Sequence, residues 1–494
     1  MEIVKIRKLN EAFMKIEADQ GVMRDISEHF TFFADNYKFM QRYKIGLWDG
    51  KIRLLNLLTG KIYVGLLPRV LEVCKSLNYK VVFDDVNDFT PNSITKSDLE
   101  DWVKTLNLPF NPRDYQFKSL HDMVNRKRMV VLSPTGSGKS LIIYMFIRWF
   151  LSEYPNEKLM LVVPNVHLVN QMYHDFEDYS SKNLWNVEKY CQKIYSGQDK
   201  SFESSIIITT WQSVYKLKPT KFAPFKAVIS DECHLAKATS LIAILEKMKN
   251  AEYRFGTTGT LDDINLNELT LCGLFGDVKR NVTTKTLIEN KHLSSFRIKY
   301  ITLKYPDDEC KDVCKMDYND EINYILDHEK RNKFLKNLCK HLTGNTLILY
   351  TYVEKHGSVL SDILSDIEDK ETFFIHGGVN PTLREEIRKD VESKDNCLIV
   401  ASYGTFSTGV NIKNLHNVIF ASPTKSKIRS LQSIGRGLRL GENKDGCILF
   451  DICDDFCVKR KSNYMVKHGN ERLKIYYKEN FDIEMVNVKF TGNK

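Results

Sequence analysis

The stretch "SPTGSGKS", residues 133–140, decides the fold of this chain. It follows the apolar run "MVVL" and precedes the apolar run "LIIYMF". A strand, a glycine-bearing loop and a helix in this order form the setting in which backbone N–H groups surround phosphate oxygens. An incidental Gly/Ser turn is the alternative, and it leaves the two flanking runs unexplained. We therefore expect a nucleotide-binding loop, which kinases, transporters, GTPases and helicases all share.

Apolar runs that end in small or polar residues recur along the chain in two series, with helix-period stretches between them. The first series is "RMVVLSP", "KLMLVVP", "SSIIITT" and "AVISDE", and the second is "TLILYT", "TFFIHG", "NCLIVAS", "NVIFAS" and "GCILFDI". Continuous apolar runs that alternate with helices are typical of parallel strands buried on both faces. The sequence therefore predicts two α/β domains, with ligands bound at the carboxyl ends of the strands.

The rest of the chain does not follow this alternation. Residues 1–95 mix short strand-like runs with a helical stretch and are predicted to form a small α+β nucleic-acid-binding domain. We place the first ATPase domain at residues 96–285, the second α/β domain at 286–452 and a short basic C-terminal tail at 453–494. Residues 304–321, "KYPDDECKDVCKMDYNDE", are polar and are predicted to form a loop or an insertion.

The charge of the chain is uneven, although its total is only +9 over 494 residues. Residues 37–80 hold nine Lys or Arg against two acidic residues, and residues 457–494 hold nine against four. Such basic ends favour a polyanionic partner, with solvated surface lysines as the alternative. The eleven cysteines have no zinc-site spacing, and we find neither a signal peptide nor an apolar span. We expect a cytoplasmic protein without a membrane partner.

The loop and a later pair of acids suggest the chemistry of ATP hydrolysis. Lys139 can reach the β- and γ-phosphates, and Ser140 can bind Mg²⁺. In "VISDECH", Asp231 is predicted to be the second Mg²⁺ ligand and Glu232 the general base for the attacking water. Capping or a salt bridge is the alternative for such a pair, but its distance from the loop favours catalysis. The residues that complete the loop are Thr135, Gly136, Ser137 and Gly138.

"DECH" after a phosphate loop resembles the DExH signature of superfamily 2 helicases, and further motifs follow in the family's order. The resemblance implies two tandem RecA-like motor domains that use ATP and Mg²⁺. It implies further nucleotide contacts in "RDYQ", "ASYGTFSTGVN" and "QSIGRGLR", through Arg113, Tyr115, Gln116, Gly409 and Gln432. It implies nucleic-acid contacts through Pro164, Asn165, Thr209, Thr210, Trp211, Ser402, Tyr403 and Thr405. "TTGT", residues 257–260, stands where the motif that couples hydrolysis belongs, although it departs from Ser-Ala-Thr.

The spacing of Arg436 and Arg439 suggests a role in ATP hydrolysis. They are three residues apart, so at a helix start they project to one side. Delivered to the γ-phosphate from a second domain, they would neutralise the charge that develops in the transition state. Hydrolysis would then require the domains to close, as in a motor. A kinase or a GTPase would not need the second sheet.

The N-terminal part carries its own resemblance. In "FTFFADNYKFMQRYKIGLWDGKIRLLN", residues 30–56, aromatic residues alternate with cations that can contact phosphates, namely Lys38, Arg42, Lys44, Lys51 and Arg53. Phe39 and Trp48 would either stack on bases or form the domain's core. This stretch, with "SYGTFSTGVNIKNLHNV" and "KSKIRSLQSIGRGLR", is similar to the UvsW family of T-even phage helicases.

That second resemblance implies a DNA-dependent ATPase that remodels forks, Holliday junctions and displacement loops in phage recombination, repair and replication. Its partner is branched, single-stranded or duplex DNA, with RNA–DNA hybrids as a further substrate. Single-strand-binding or recombination proteins are the protein partners it implies. Two alternatives stay open: an RNA helicase, and the motor subunit of a restriction-type nuclease complex.

Overall fold

The computed structural model describes residues 2–34, 36–195, 197, 200–235, 238–259, 268–408, 412, 414–422, 446–459 and 461–491. The chain forms two compact units, and the second of them includes a short piece of the phosphate loop. The units are Met1–Ser133 with Gly138–Asn281, and Pro134–Ser137 with Val282–Lys494. In the described part of the chain, no helix is long and apolar enough to cross a membrane.

The first unit contains the first thirteen described strands and eleven described α-helices. The strands are β1 (Ile3–Lys8), β2 (Phe13–Glu17), β3 (Thr31–Phe33), β4 (Lys51–Arg53), β5 (Lys61–Tyr63), β6 (Lys80–Phe83), β7 (Arg128–Leu132), β8 (Lys158–Val163), β9 (Cys191–Ile194), β10 (Ile206–Thr210), β11 (Phe225–Ser230), β12 (Tyr253–Thr258) and β13 (Val278–Arg280). The helices are α1 (Gln20–His29), α2 (Gln41–Lys44), α3 (Leu67–Ser76), α4 (Lys96–Thr105), α5 (Asp114–Arg126), α6 (Lys139–Glu153), α7 (Val166–Tyr179), α8 (Val187–Tyr190), α9 (Trp211–Val214), α10 (Ala238–Lys247) and α11 (Glu268–Phe275).

The N-terminal part of this unit is a small mixed sheet in the order β5-β2-β1-β6. Strand β1 is antiparallel to β2 and parallel to β6. Val4 and Ile6 of β1 are fully buried, while Lys5 between them is exposed, because successive side chains of a strand point to opposite faces. Strands β3 and β4 form a separate antiparallel pair.

The motor part of this unit is a parallel sheet of seven described strands in the order β13-β7-β12-β11-β8-β10-β9. The order places β7, β12 and β11 side by side. Their carboxyl ends therefore meet at one edge, and each of these strands leads into a predicted ATP-site motif.

The small sheet packs directly on the motor sheet, since both contribute buried side chains to one continuous hydrophobic core. The Tyr63 hydroxyl donates a hydrogen bond of 2.7 Å to Glu246 Oε1 on α10. A Cβ atom on Gly65 would lie 2.2 Å from the carbonyl oxygen of Cys272, so only glycine permits this close approach of the backbone to α11. The small domain is thus tightly joined to the first motor sheet.

The second unit contains seven described strands and eight helices. The strands are β14 (Ser295–Lys304), β15 (Thr346–Tyr350), β16 (Thr372–Ile375), β17 (Leu398–Ser402), β18 (Asn417–Phe420), β19 (Gly446–Asp455) and β20 (Asp482–Lys489). The helices are α12 (Thr284–Glu289), α13 (Asp307–Val313), α14 (Tyr318–Asp327), α15 (Glu329–His341), α16 (Val359–Ser365), α17 (Pro381–Ser393), α18 (Tyr403–Thr408) and α19 (Tyr464–Lys478).

These strands form a second parallel sheet in the order β16-β17-β15-β18-β19-β14-β20. The C-terminal residues belong to it, because β20 pairs with β14 along the edge. Helix α19 is fixed by Arg472, whose Nη2 lies 2.7 Å from Asp451 Oδ1 in an almost fully buried ion pair. The predicted fold class of two parallel motor sheets after a small α+β domain is confirmed, whereas the exact domain boundaries stay a prediction.

The prediction of a loop at residues 304–321 is wrong, because this segment contains α13 and the start of α14, whereas the alternative of an insertion stays a prediction. Its acidic residues are helix-start signals. Asp307, Asp308 and Glu309 occupy the first turn of α13, where the helix dipole favours negative charge. The Asp317 side chain accepts hydrogen bonds from the N–H groups of Asn319 and Asp320 and so caps α14.

Candidate nucleotide and nucleic-acid sites

Lys139 opens helix α6 directly after the glycine loop, at the edge where β7, β12 and β11 end. Its Nζ lies 3.2 Å from Glu232 Oε1 and donates a hydrogen bond of 3.3 Å to the Ser133 carbonyl oxygen. The structure therefore brings the predicted phosphate-binding lysine and the predicted general base into direct contact. An ammonium group held at this edge is placed for a phosphate bound on the loop.

Gly138 and Gln116 connect the phosphate loop with the predicted nucleotide contacts in "RDYQ". Gly138 has a φ of 78°, in the left-handed region that glycine adopts most easily. A Cβ atom at this position would lie 2.4 Å from Gln116 Nε2, so the loop and the glutamine are in close contact. Gln116 Oε1 accepts a hydrogen bond of 2.9 Å from the Arg113 N–H, and Arg113 Nη1 donates one of 3.0 Å to the Tyr115 hydroxyl. The three predicted residues thus form one cluster beside the loop.

Asp231 lies directly after β11 and is 7% exposed. The Thr257 hydroxyl of the neighbouring strand β12 donates a hydrogen bond to Asp231 Oδ1. Burial, assisted by the nearby Glu232 carboxylate, raises the pKa of Asp231 to about 6. A buried carboxylate with a raised pKa is stabilised by any cation that comes beside it.

The pKa of Glu232 is shifted in the opposite direction to that of Asp231. Burial acts to raise its pKa, but the Lys139 ammonium outweighs burial and holds the pKa below its usual value. Glu232 is therefore ionised at neutral pH, as a general base must be. Its backbone has a φ of 46°, a sparsely populated conformation for a residue with a side chain. Its Oε2 accepts no hydrogen bond from the described residues.

His234 connects this carboxylate pair to strand β12. Its Nδ1 lies 2.7 Å from the Thr258 hydroxyl oxygen and 3.4 Å from Glu232 Oε2. Burial lowers the pKa of His234, so the ring is neutral at physiological pH. His234 therefore links the Asp-Glu pair to the end of β12. Thr257 and Thr258 are the described part of "TTGT" that reaches the site, while Thr260 lies outside the described residues.

Several predicted nucleotide contacts cannot be placed. Gly409, Gln432, Arg436 and Arg439 lie outside the described residues. Their assignment therefore still rests on the sequence alone.

The oxygen donors at this edge fit a magnesium ion. They are the Ser140 hydroxyl and the Asp231 carboxylate, and Mg²⁺ in phosphate sites is usually bound by one or two such protein oxygens together with phosphate and water. Within the described ranges, no group of three or more His, Cys, Asp or Glu side chains could hold a metal by itself.

Tyr179 is a site residue that the sequence did not indicate. It ends helix α7, and its hydroxyl oxygen lies 2.7 Å from Ser140 Oγ. The two residues are 39 positions apart, and Tyr179 belongs to no recognised motif. Only the packing of α7 against α6 brings them together.

The predicted nucleic-acid contacts of the first motor sheet differ in exposure. Pro164 and Asn165 follow β8 and are partly exposed, and the Asn165 side chain caps α7 by accepting a hydrogen bond from the Leu168 N–H. Trp211 is also partly exposed, whereas Thr209 and Thr210 are buried. The side chains of these two threonines do not reach the surface in this structure.

In the second unit the predicted contacts Ser402, Tyr403 and Thr405 are all buried. The Ser402 and Thr405 hydroxyl oxygens lie 2.8 Å apart. The Tyr403 hydroxyl donates a hydrogen bond of 3.0 Å to the Ser422 carbonyl oxygen, so its ring is part of the core beneath the loop. These side chains therefore pack inside the unit at the carboxyl end of β17.

A cation–aromatic surface covers residues 31–53 of the small domain, and its cations are the predicted contacts Lys38, Arg42, Lys44, Lys51 and Arg53. Lys38, Arg42 and Lys44 are exposed and form no ion pair with any described residue. Arg53 pairs with Asp49 and holds the pKa of that carboxyl at about 2. The charges of Lys38, Arg42 and Lys44 are therefore available to phosphates.

The aromatic residues of this surface divide between the two open alternatives. Phe39 is 74% exposed, so of the two alternatives a core position is excluded for this ring. Trp48 is partly buried, and its Nε1–H donates a hydrogen bond of 2.9 Å to the Lys51 carbonyl oxygen. The rings of Phe33 and Tyr37 stack at 4.6 Å, and Phe33 is 51% exposed. Phe39 is the more exposed ring of this surface and can stack on a base.

A phosphate loop with an Asp-Glu pair on one parallel sheet, followed by a second parallel sheet, defines the class of superfamily 2 nucleic-acid motors. Family models match in the corresponding order. "DNA helicase UvsW, N-terminal" matches residues 4–84, "Type III restriction enzyme, res subunit" residues 109–263, and "Helicase conserved C-terminal domain" residues 329–441.

Individual relatives agree with this class. The chain is 32% identical over 505 residues to the ATP-dependent DNA helicase uvsW of Enterobacteria phage T4, over 98% of this chain and 99% of the relative. The crystal structure of T4 UvsW matches with a TM-score of 0.54 and 29% identity, again over 98% and 99% of the two chains. Mss116p bound to single-stranded RNA and AMP-PNP matches with a TM-score of 0.54 at 17% identity, over 81% and 80%, which shows the fold alone. The chain belongs to the UvsW family of ATP-dependent helicases.

Proposed function

We propose that this chain is an ATP-dependent DNA helicase that remodels branched DNA in phage recombination, repair and replication. Forks, Holliday junctions and displacement loops are the proposed substrates, and RNA–DNA hybrids are a further one. The observation that carries the choice of DNA is the N-terminal domain, which matches the UvsW model and presents the cation–aromatic surface. The motor sheets alone do not distinguish DNA from RNA. The proposed place of action is the host cytoplasm, beside single-strand-binding or recombination proteins.

In the proposed ATP site, the loop from Thr135 to Ser140 surrounds the phosphates and Lys139 binds them. Phosphate binding draws Lys139 away from Glu232, with which it is paired at 3.2 Å. Glu232 is then free to accept a proton from the attacking water. Magnesium, held by Ser140 and Asp231, would supply positive charge at the phosphates. Arg113, Tyr115 and Gln116 are the proposed adenine contacts, and Gly409, Gln432, Arg436 and Arg439 act from the second domain.

The proposed DNA contacts combine charge and stacking. Lys38, Arg42 and Lys44 neutralise phosphates, and this contribution weakens as salt rises because bound counterions are released. Phe39, exposed among these cations, offers a face on which one unpaired base can stack, for about 1 to 3 kcal/mol. A surface that binds both backbone and unpaired bases suits the junction between duplex and single strand. Within the motor, Pro164, Asn165 and Trp211 are the partly exposed candidates.

The salt dependence of DNA binding tests this surface. Replacing Lys38 with Ala should reduce the slope of the logarithm of the DNA association constant against the logarithm of salt concentration by about one. The affinity should fall equally for all DNA sequences. Phe39→Ala should leave the slope unchanged and weaken binding to a fork with single-stranded arms more than binding to a blunt duplex. Lys340→Ala is the matched control, because Lys340 is exposed on α15 of the second unit. An unchanged slope in Lys38→Ala would remove this surface from the DNA site.

A further inference from the structure

The contact between Tyr179 and Ser140 joins two helices at the point where the proposed metal ligand sits. Ser140 is the second residue of α6, and Tyr179 is the last residue of α7. Their hydroxyl oxygens are 2.7 Å apart, the distance of a good hydrogen bond between hydroxyl groups. A phenol therefore lies against the serine hydroxyl proposed for Mg²⁺.

We propose that Tyr179 is a positioning residue that holds the Ser140 hydroxyl in the orientation needed for magnesium. The inference rests on the proposed function, in which Ser140 is a Mg²⁺ ligand. Tyr179 itself touches neither the nucleotide nor the metal. Its contribution is to select one rotamer of the serine before the metal arrives.

Ser140 needs such help because a serine side chain has three staggered rotamers, and its hydroxyl can also turn back to the loop carbonyl oxygens three or four residues earlier. A hydroxyl that binds a metal offers a lone pair and must direct its proton elsewhere. The Tyr179 oxygen lies at hydrogen-bond distance and can accept that proton. The lone pairs of Ser140 Oγ then stay available to the cation.

Tyr179 can position another residue because its own ring is held firmly. The ring packs edge-on against Tyr144 at 5.5 Å and against Phe110 at 5.7 Å. The next residue, Ser180, ties the end of α7 to the next turn of α6, since its Oγ lies 2.9 Å from the Tyr144 hydroxyl oxygen. Two neighbouring hydroxyl pairs therefore fix the end of α7 against the start of α6.

The Tyr144–Ser180 pair provides a matched control. Tyr144→Phe removes a phenol oxygen from the same ring cluster, yet it leaves the contact between Tyr179 and Ser140 in place. Tyr179→Phe removes only the oxygen that faces Ser140 and keeps the ring. Comparing the two variants separates positioning of Ser140 from general support of the helix pair.

The experiment is a Mg²⁺ titration of the binding of a fluorescent, non-hydrolysable ATP analogue to the full chain. Tyr179→Phe should raise the Mg²⁺ concentration at half-saturation by about three- to tenfold, because Ser140 could then occupy all three of its rotamers and would lose one hydrogen bond. Binding of the analogue in EDTA should stay unchanged. Tyr144→Phe should titrate as the wild type does, and Ser140→Ala should show at least the shift of Tyr179→Phe.

The outcomes separate this inference from the proposed function. If Ser140→Ala shifts the titration and Tyr179→Phe does not, the positioning role is overturned while the metal ligand stands. If Ser140→Ala also titrates as the wild type does, the proposed ligand and the positioning role are both overturned. Equal shifts of the Mg²⁺ titration in Tyr144→Phe and Tyr179→Phe would also overturn the positioning role, because the shift would then come from a general loosening of α6 against α7.

Discussion

Replacing Glu232 with Gln removes one negative charge from the ATP site and keeps the shape of the side chain. Glu232 is held 3.2 Å from the Lys139 ammonium, which lowers the pKa of the carboxyl and keeps it ionised at neutral pH. Glutamine cannot accept a proton from water. If Glu232 is the general base, the turnover number for ATP should fall by about 10²- to 10⁴-fold, the usual contribution of such a group.

The same substitution should not weaken nucleotide binding. Lys139 loses its ion-pair partner in Glu232→Gln and becomes freer to bind phosphate, so the affinity for ATP should be unchanged or higher. The assay is steady-state ATP hydrolysis with saturating single-stranded DNA, beside equilibrium binding of a fluorescent ATP analogue.

Glu252→Gln is the matched control. Glu252 is also paired with lysines, at 2.6 Å from Lys127 and 3.1 Å from Lys226, but it lies outside the proposed site. Its loss should leave turnover unchanged. A fall of less than about tenfold in Glu232→Gln would refute the assignment of Glu232 as the base.

Three further predictions concern other parts of the molecule. Lys139→Ala should abolish ATP hydrolysis and spare DNA binding, measured by fluorescence anisotropy, because its ammonium serves the phosphate site alone. Gly65→Ala should destabilise the first unit by about 1 to 3 kcal/mol or more in urea unfolding, because its Cβ would lie 2.2 Å from the Cys272 carbonyl oxygen. Burial lowers the pKa of His356 to about 3, below its value of about 6.5 in the unfolded chain. The contribution of the neutral buried ring to folding stability is therefore complete above about pH 6.5 and is lost as the pH falls, because the unfolded chain then binds a proton that the folded chain does not. At about pH 5 the free energy of unfolding measured in urea should be lower by about 2 kcal/mol.

Each of these predictions has a control and a contradicting result. Simultaneous loss of hydrolysis and DNA binding in Lys139→Ala would contradict separate sites. Gly21→Ala, whose Cβ would meet no atom within 4 Å, should be far milder than Gly65→Ala, and equal effects would contradict the close packing at Gly65. His356→Gln removes the titrating group, so the same pH dependence in this variant would assign it to other residues.

The sequence predicted motor strands that are buried on both faces and apolar throughout, whereas it missed β12, which is just as buried but contains Arg254 and Gly256. All nine quoted apolar runs contain a strand, because a central parallel strand needs apolar residues throughout. Strand β14 alternates between buried and exposed residues, and the edge strand β20 is mostly exposed, so neither stood out as an apolar run. Residues 304–321 were misjudged because their acids were read as solvated loop residues rather than as helix starts.

The candidate site was predictable where one local motif carries the chemistry. Lys139, Asp231 and Glu232 each follow a strand within a short recognisable stretch, and the parallel order brings those strand ends together. Tyr179 was not predictable, because its contact with Ser140 depends on how two helices pack. Phe39 could not be assigned to core or surface from its neighbours, since aromatic residues serve both purposes in a small basic domain.

The most direct test of a branched-DNA motor is the steady-state rate of ATP hydrolysis without nucleic acid, and with single-stranded DNA, duplex DNA, a model fork and an RNA of matched sequence. Lys139→Ala serves as the background control. The account predicts the strongest stimulation by forked or single-stranded DNA. Equal or greater stimulation by the RNA would contradict it and would make an RNA helicase the better description.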